Sequence, residues 1–553
     1  MTAHLLVVAI GPVQDFIAAA RRTRDLWFGS YVLSEISKAA ARAVRDQGAT
    51  LIFPAPGDAR ALDAPSGFNV ANIIFAALEN QDPRQTADRA KDAAEARWQA
   101  IANQVRQRHE RYICDDIWQQ QVGDILECYA AWVVRGVYQD DRAKLMRLLA
   151  GRKNCKDFAP AQGRAGVFKS SLDGLRESVL RDNGAARNGL RLAAGEQLDV
   201  VGVVKRKGEE GAPPYPSVAR VAADPWVRGL SADQLSRLRQ ACEPIAEVHR
   251  LSAVYGDFPF EGAVVYPSRH CDLAGEGAAT DEQLGALKQA LTKLGGEPSP
   301  YLAVLVADGD DMGKKLATLT SVEEHQAFST TLAGFAAGAR GVVESKDGPH
   351  AHRGVLVYAG GDDVLAFVPV DRALACAHAL HAAFVEATGM NLSVGVAIAH
   401  FMEPLEDLLA YGRAAEKDAK GVTNKNALAV HLHKRGGGPV KVRGSWSNNL
   451  DQHLGDLARL INDRAISGRV AYDLVKLAEV YQDWPTATVK DACQRDVRRV
   501  LSAKRPGGPV DRTDDIRALV DRHVSDAASL KQLADELLVA RQLAAAGRKE
   551  VDG

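Results

Sequence analysis

Two acidic turns carry the side chains of this chain that are best suited to chemistry. One follows an apolar run, so that residues 301–311 read YLAVLVADGDD. The other lies inside residues 355–368, VLVYAGGDDVLAFV, where apolar runs flank a Gly-Gly-Asp turn, a pattern typical of a β-hairpin. Because Mg²⁺ (and likewise Mn²⁺) prefers carboxylate oxygens, two such strand ends predict a divalent-metal site. Its candidate ligands and catalytic residues are Asp308, Asp362 and Asp363.

A carboxylate metal site of this kind suits nucleotide chemistry. Two bound ions can activate a hydroxyl group and stabilise a leaving pyrophosphate. Glycines beside the carboxylates let the backbone approach a nucleotide closely, and lysines can neutralise its phosphates. The candidate nucleotide-binding residues are Gly309, Asp310, Gly360, Gly361, Lys314, Lys417 and Lys420. Each lysine could equally be a solvated helix end, and either acidic turn alone could be an ordinary surface turn.

The elements around the two turns must bring the carboxylates together. Apolar periodicity predicts the order β-α-β-β-α-β, followed by one more helix and one more strand. This order is typical of a ferredoxin-like palm, in which the end of the first strand lies beside the central hairpin turn. The predicted elements are a strand at 301–307, a helix at 322–344, strands at 354–358 and 364–368, a helix at 372–388, a strand at 392–399, a helix at 404–420 and a strand at 427–432.

The remaining segments predict a chain of several domains. Residues 1–150 fit a β-α-β-β unit, with strands at 50–53 and 71–78, followed by a charged helical insertion over 83–149. Residues 151–297 are rich in Gly, Pro, Lys and Arg and predict a small connector domain with helices. The palm with the two acidic turns spans 298–435, and 436–553 predicts a C-terminal α-helical bundle.

Composition is that of an ordinary globular protein, with 46% apolar and 25% charged residues and a net charge of −1. Any nucleic-acid contact must therefore use local basic patches. The seven cysteines form no C-x-x-C pair, which argues against a disulfide framework and a strong zinc site, although His270 and Cys271 could form half of a weak one. The absence of a long apolar run and of a signal-peptide pattern predicts a cytoplasmic protein without membrane contact.

Five stretches together resemble one protein family, the large GGDD-palm polymerase–cyclase subunit of type III CRISPR effector complexes, most closely in its Cmr-type (III-B) branch. They span the chain from residue 10 to about residue 430 and form a specific combination. The stretches are IGPVQDFIAAARRTRDLWFGSYVLSEIS at 10–37, GEQLDVVGVVKR at 195–206, YLAVLVADGDDMGKKL at 301–316, YAGGDDVLAF at 358–367 and AEKDAK at 415–420.

The resemblance implies an α+β fold with two ferredoxin-like palms, a connector domain and a C-terminal helical bundle. It implies that the second palm binds Mg²⁺ through Asp308 and Asp362, with Asp363 in support, and polymerises ATP into cyclic oligoadenylates when target RNA pairs with guide RNA. Lys420 matches the family's triphosphate-contacting lysine better than Lys314 does. A second ATP is expected across the interface with the first palm, near the basic helix after Gly11. The implied partners are the other subunits of the Cmr-type complex, guide RNA and target RNA.

Two features depart from the family pattern. Many members begin with an HD nuclease domain, but here the first predicted strand starts at Leu5 and no His-Asp dipeptide occurs, so we expect no DNase activity. The family's connector often binds zinc through paired C-x-x-C motifs, whereas Cys155 stands alone here, which puts zinc in doubt.

Several alternatives remain open at the level of sequence. The acceptor of the AMP group could be another molecule, such as S-adenosylmethionine. A GGDEF-like cyclase that uses GTP would share the palm, although the motif continues here with Asp363 and Val364 in place of Glu and Phe. A non-catalytic scaffold subunit would retain the fold, although the intact set of three aspartates argues against it.

Overall fold

A computed structural model describes most of the 553-residue chain. The described residues are 2–63, 66–155, 163–181, 190, 192–193, 195–208, 215–245, 253–275, 278–294, 296–348, 351–503 and 512–546.

The N-terminal part of the chain forms a four-stranded antiparallel sheet with the order β2-β3-β1-β4. Its strands are β1 (His4–Gly11), β2 (Thr50–Phe53), β3 (Ile73–Leu78) and β4 (Glu127–Val134). Its helices are α1 (Gln14–Ala18), α2 (Thr23–Asp46), α3 (Pro83–His109), α4 (Asp115–Val122) and α5 (Tyr138–Asn154). Helices α2 and α3 cover one face of the sheet and α5 covers the other. This arrangement completes a ferredoxin-like β-α-β-β-α-β palm.

Strand β4 corrects the prediction that residues 83–149 are helical throughout. Tyr129, Ala131 and Val133 are buried while their neighbours are less so, which is the two-residue period of a strand. The paired alanines in ECYAAWVV weaken that signal in the sequence, because alanine also favours helices. Trp132 consequently lies on the outer side with 38% of its surface exposed.

The second palm is built on a six-stranded sheet with the order β10-β9-β8-β5-β7-β6. Its strands are β5 (Tyr301–Gly309), β6 (Val355–Gly360), β7 (Asp363–Val368), β8 (Leu392–His400), β9 (Ala427–Leu432) and β10 (Val440–Ser445). The helices between them are α11 (Met312–Thr318), α12 (Val322–Val343), α13 (Ala373–Thr388) and α14 (Leu405–Lys420). The predicted palm and its hairpin are therefore present, and β10 extends the sheet past the predicted boundary at residue 435.

The segment between the palms packs in two directions. Helix α6 (Val200–Lys207) joins the core of the first palm, where the buried Lys205 ammonium donates hydrogen bonds to the carbonyl oxygens of Phe16 and Ala19, both at 2.5 Å. The later helices pack on the open face of the second sheet. They are α7 (Val218–Arg228), α8 (Ala232–Cys242), α9 (His270–Gly275) and α10 (Asp281–Leu294). The predicted connector thus contributes to both palms.

The C-terminal segment is the predicted helical bundle, and it shares one apolar core with the second palm. Its helices are α15 (Leu450–Asn462), α16 (Val470–Tyr481), α17 (Thr486–Ala503), α18 (Thr513–His523) and α19 (Ala527–Ala546). Helix α19 contacts α15, α16 and strands β9 and β10. No described helix combines the length and the apolar character that crossing a membrane requires.

The two palms contact each other directly. His325 of α12 and Tyr138 of α5 share a buried hydrogen bond, with 2.7 Å between Nδ1 and the phenol oxygen. Gln326 of α12 donates to the carbonyl oxygen of Leu51 at 2.8 Å. Helix α12 therefore lies against the face of the first sheet that α5 also covers, so the second palm is held in a defined position relative to the first.

Candidate active site

Strand pairing brings the two acidic turns to the same edge of the second sheet. Strand β5 pairs with β7 with Ala307 opposite Val364, so Asp308 and Asp363 are the next residues at the strand ends. Gly361 has a φ of +71°, a left-handed conformation that glycine adopts without strain. A Cβ atom on Gly309 would lie 2.9 Å from the Asp362 Cβ, closer than real Cβ contacts come. Glycine at 309 therefore lets the hairpin turn approach β5.

The three aspartates form one cluster of negative charge. Burial in the cleft and, next in size, the nearby charge of Asp308 together raise the pKa of Asp362 to about 7. Although Asp363 is exposed at the end of β7, desolvation of its carboxylate and the charges of Asp362 and Asp308 together raise its pKa to about 7. Like charges in a poorly solvated cleft disfavour ionisation unless a cation compensates them. The donor set and its uncompensated charge therefore fit a divalent cation such as Mg²⁺.

Lys420, at the end of α14, is the cation that the chain itself supplies to this cluster. Its ammonium contacts the carboxylate of Asp308 and lies 3.2 Å from the Glu416 carboxylate. Burial opposes the charged ammonium, but the hydrogen bond and the charge of Asp308 outweigh that effect and raise the pKa of Lys420. Lys420 is thus charged at neutral pH and partly neutralises the aspartates.

Two glycines allow α14 to lie close enough for this contact. A Cβ atom on Gly395 of β8 would overlap the backbone nitrogen of Glu416. A Cβ atom on Gly412 of α14 would come 2.8 Å from the Val306 side chain on β5. Without these Cβ atoms the helix packs directly on the sheet, which sets the distance between Lys420 and Asp308.

Asp310 has a different environment from the one that the sequence suggested. Its side chain is buried and accepts hydrogen bonds from the Ser393 hydroxyl and the Asn426 backbone amide, each at 2.9 Å. These bonds tie the end of β5 to β8 and to the loop after α14. The Asp310 carboxylate therefore shapes the cleft through these contacts, and its part in nucleotide binding stays a prediction.

The other predicted lysines do not reach the aspartate cluster. Lys314 has 82% of its side chain exposed and pairs with Asp311 at 3.2 Å, outside the three aspartates. Lys417 is exposed on the outer face of α14. Lys425, which sequence reasoning did not single out, pairs with Asp311 at 2.7 Å. Lys420 is thus the predicted lysine that the fold brings to the carboxylates.

Glu416 is a further acidic residue at the cleft that sequence reasoning missed. Burial raises its pKa, while its pairing with Lys420 acts in the opposite direction. Its signal in the sequence was its position four residues before Lys420, a spacing that places both side chains on one helix face. Without the tertiary contact to Asp308, that spacing predicts only an ordinary surface ion pair.

The two weak metal candidates lie elsewhere. The His270 ring is buried and shares a 3.0 Å hydrogen bond with the Val264 carbonyl oxygen, while the neighbouring Cys271 is exposed. Cys155 is exposed and followed by residues outside the described ranges. All seven cysteines are described, and none forms a disulfide.

Known proteins resemble this chain in sequence and in fold. Residues 301–429 match the family model for the Cas10/Cmr2 second palm domain, and residues 5–103 match the model for the N-terminal part of the CRISPR-associated protein Cmr2. The Cmr2 subunit of the CRISPR system Cmr from Pyrococcus furiosus is 35% identical over 250 residues, which cover 38% of this chain and 27% of that protein. The aligned region thus spans about a quarter of that relative's length.

Two solved structures of type III-B Cmr-β complexes share the fold over 98% of this chain. The apo complex matches with a TM-score of 0.65 and covers 81% of its chain, and the complex bound to cognate target RNA matches with 0.66 and covers 83%. Sequence identity is 12% in both cases, so these matches concern the fold alone. They confirm the predicted α+β architecture with palm domains, and the sequence matches confirm the resemblance that the motifs indicated.

Proposed function

We propose that this chain is the nucleotidyltransferase subunit of a Cmr-type type III CRISPR effector complex. The proposal starts from its matches to the Cas10/Cmr2 second palm domain and to the N-terminal part of Cmr2. In this proposal it converts ATP into cyclic oligoadenylates when guide RNA in the complex pairs with target RNA. The observation that carries the proposal is the convergence of Asp308, Asp362, Asp363 and Lys420 at one edge of the second palm.

The proposed reaction is the attack of a ribose 3′-hydroxyl on the α-phosphorus of a second ATP. The new bond joins the hydroxyl oxygen to that phosphorus, the bond to the bridging oxygen breaks, and pyrophosphate leaves. Mg²⁺ or Mn²⁺, held by the three aspartates, would supply charge that favours the attacking alkoxide and the leaving pyrophosphate. Lys420 would donate to phosphate oxygens, and a carboxylate of the cleft would accept the hydroxyl proton.

The first palm is proposed to close the site that takes the second ATP. Two packing observations support this role. Helix α1, which follows Gly11, contacts α14, the helix that carries Lys420. Helix α2 contacts β6, the strand that leads into the Gly-Gly-Asp-Asp turn. The first palm would thereby orient the two nucleotides towards each other, and orientation of reactants is a large part of catalysis.

The proposal is tested with the assembled complex, target RNA, Mg²⁺ and either ATP or GTP, with products identified by mass spectrometry. We expect adenylate products that disappear in Asp362→Ala/Asp363→Ala. The matched control is Asp58→Ala/Asp63→Ala in the corresponding connection of the first palm, which should retain activity. Products from GTP only would indicate a GGDEF-like cyclase instead.

Two further outcomes distinguish the remaining alternatives. Products that require added S-adenosylmethionine would assign the acceptor to that molecule. No product from either nucleotide, with the complex and its guide RNA intact, would indicate a scaffold subunit. Each outcome is read from product mass and complex composition, so a failure of assembly is separated from a failure of catalysis.

A further inference from the structure

We infer that Lys420 is a displaceable counter-ion of the metal site, and that Glu416 is the positioning residue that receives its ammonium when Asp308 binds a divalent cation. The inference rests on the proposed function for the identity of the site. It adds an order of events. The divalent metal ion first replaces the Lys420 ammonium at the aspartates, and Lys420 then becomes available to the triphosphate.

The first step of the argument is competition for Asp308. The Oδ2 atom of Asp308 accepts the Lys420 ammonium. Asp308 is also the carboxylate close to both Asp362 and Asp363. A cation shared by the three aspartates therefore binds the same carboxylate that Lys420 contacts. Two positive charges on one carboxylate repel each other in a partly buried cleft, and this repulsion favours release of Lys420 from Asp308.

The second step is that the Lys420 ammonium has a neighbouring carboxylate, Glu416, with which it can pair after it leaves Asp308. The Glu416 carboxylate lies one helical turn earlier on the same face of α14, 3.2 Å from the ammonium. Helix α14 is packed closely on the sheet, because its backbone at Glu416 lies directly against Gly395. The movement is therefore confined to the flexible lysine side chain. Lys420 then remains at the edge of the cleft with its charge directed to incoming phosphates.

The neighbouring pair of Asp311 and Lys425 provides a matched control. Lys425 donates to Asp311 at 2.7 Å in the same acidic turn, and this pair is somewhat more exposed than Lys420 and Asp308. Asp311, however, is not among the main causes of the raised pKa of either Asp362 or Asp363. Removal of Lys425 should therefore leave the competition at Asp308 unchanged.

The experiment is a Mn²⁺ titration of the full-length chain without nucleotide, followed by electron paramagnetic resonance at about pH 8, where the aspartates are ionised. Lys420→Met should bind Mn²⁺ about five- to tenfold more tightly, since its competitor is gone. Glu416→Gln should bind it about three- to tenfold more weakly, since Lys420 then stays on Asp308. Lys425→Met should remain within about twofold of the wild type.

A double variant of Glu416 and Lys420 shows whether Glu416 acts by positioning Lys420 or only through its own negative charge. If Glu416 acts through Lys420, Glu416→Gln should have little effect on Mn²⁺ affinity in the Lys420→Met background. An equal loss in both backgrounds would show that Glu416 acts only through its own charge and would overturn its positioning role. Unchanged or weaker Mn²⁺ binding by Lys420→Met would overturn the whole inference. Lys420→Gln replaces Lys420→Met if circular dichroism shows that the latter is unfolded.

The titration also distinguishes this inference from the proposed function. Mn²⁺ binding is measured without ATP, RNA or other subunits, so a chain without transferase activity can still show the predicted exchange. Conversely, adenylate synthesis by the assembled complex could be observed while Lys420→Met leaves Mn²⁺ affinity unchanged. The second result would retain the proposed function and reject the counter-ion role.

Discussion

The two palms of this chain share one topology and differ in chemistry. Each places the first strand between the hairpin and the last strand, in the orders β2-β3-β1-β4 and β6-β7-β5-β8. In the first palm, β1 ends in Gly11 followed by Pro12, and residues 54–72 connect the two hairpin strands. In the second, β5 ends in Asp308 and Gly309, and two residues form the hairpin turn. The palm fold therefore provides a position for a site, while the residues at two strand ends decide whether one exists.

The two palms also differ in how far neighbouring basic side chains neutralise their acidic side chains. In the first palm, buried Glu35 contacts Lys38 at 2.7 Å and Arg97 at 3.0 Å, an arrangement that satisfies its charge within the protein. In the second palm, Lys420 faces a cluster of three aspartates. Uncompensated charge in a cleft lowers stability, so the aspartate cluster of the second palm is a candidate functional site rather than a folding element.

The largest expected difference between the palms concerns catalysis. Asp308→Asn should lower adenylate synthesis by the assembled complex by about 100-fold or more, because it removes the carboxylate shared by the cluster. Glu127→Gln, which changes the carboxylate beside Gly11 at the corresponding strand end, should change the rate by less than about threefold. Comparable losses in the two variants would show that the first palm also takes part in the chemistry.

The next difference concerns the close packing of α14 on the second sheet, which brings Lys420 to the aspartates. Gly395→Ala should lower the free energy of unfolding by about 1–3 kcal/mol, since the new methyl group meets the backbone of α14. Gly338→Ala, on the exposed side of α12 with open space around it, should raise stability by up to about 1 kcal/mol. Chemical denaturation measures both. A neutral Gly395→Ala would mean that α14 is not tightly held.

The aspartate cluster should also make stability depend on pH. Because the pKa values of Asp362 and Asp363 rise from the ordinary value of 3.8 to about 7 on folding, the folded chain binds more protons than the unfolded chain between these values. Without divalent cations, stability should therefore fall as pH rises from about 4 to about 8. Since solvent screens the exposed Asp363 and the two groups are coupled, we expect only about 1–2 kcal/mol.

Thermal unfolding in EDTA measures this pH dependence. Asp362→Asn/Asp363→Asn should flatten the profile and stabilise the chain above pH 7, and excess Mg²⁺ should remove the loss in the wild type. Variants of the ionised residues of the first palm, such as Asp58→Asn, provide the comparison and should leave the profile unchanged. A wild-type profile without the fall between these pH values would contradict the raised pKa values.

The smallest expected effect concerns the contact between the palms. Burial, with a contribution from nearby Arg142, lowers the pKa of His325 to about 4, so its ring is neutral where it meets the Tyr138 hydroxyl. Tyr138→Phe and His325→Leu should each cost about 1 kcal/mol, with a coupling energy of similar size in the double variant. Zero coupling would show that the two palms are not joined through this hydrogen bond.

The strands and helices that could be predicted from the sequence are those with a clear local pattern of apolar residues. The elements of the second palm were predictable because apolar runs of strand length alternate with amphipathic helices and glycine turns. Strand β4 was not, because its alternation is blurred by alanines within a charged helical region. Strand β10 was not either, because VKVRGS follows the glycines at 436–438 and has only one buried residue, Val442, within the strand.

The sequence by itself determined which residue types stand at the two strand ends, and hence that Asp308, Asp362 and Asp363 would meet. Local periodicity gives the order of the elements along the chain, and the ferredoxin-like topology typical of that order places the two strand ends side by side. The tertiary structure alone decided that Lys420 faces the cluster while Lys314 and Lys417 do not, and that Asp310 is buried. Those outcomes depend on how closely α14 approaches the sheet and on how much water the cleft retains, and neither quantity is encoded in residue spacing along the chain.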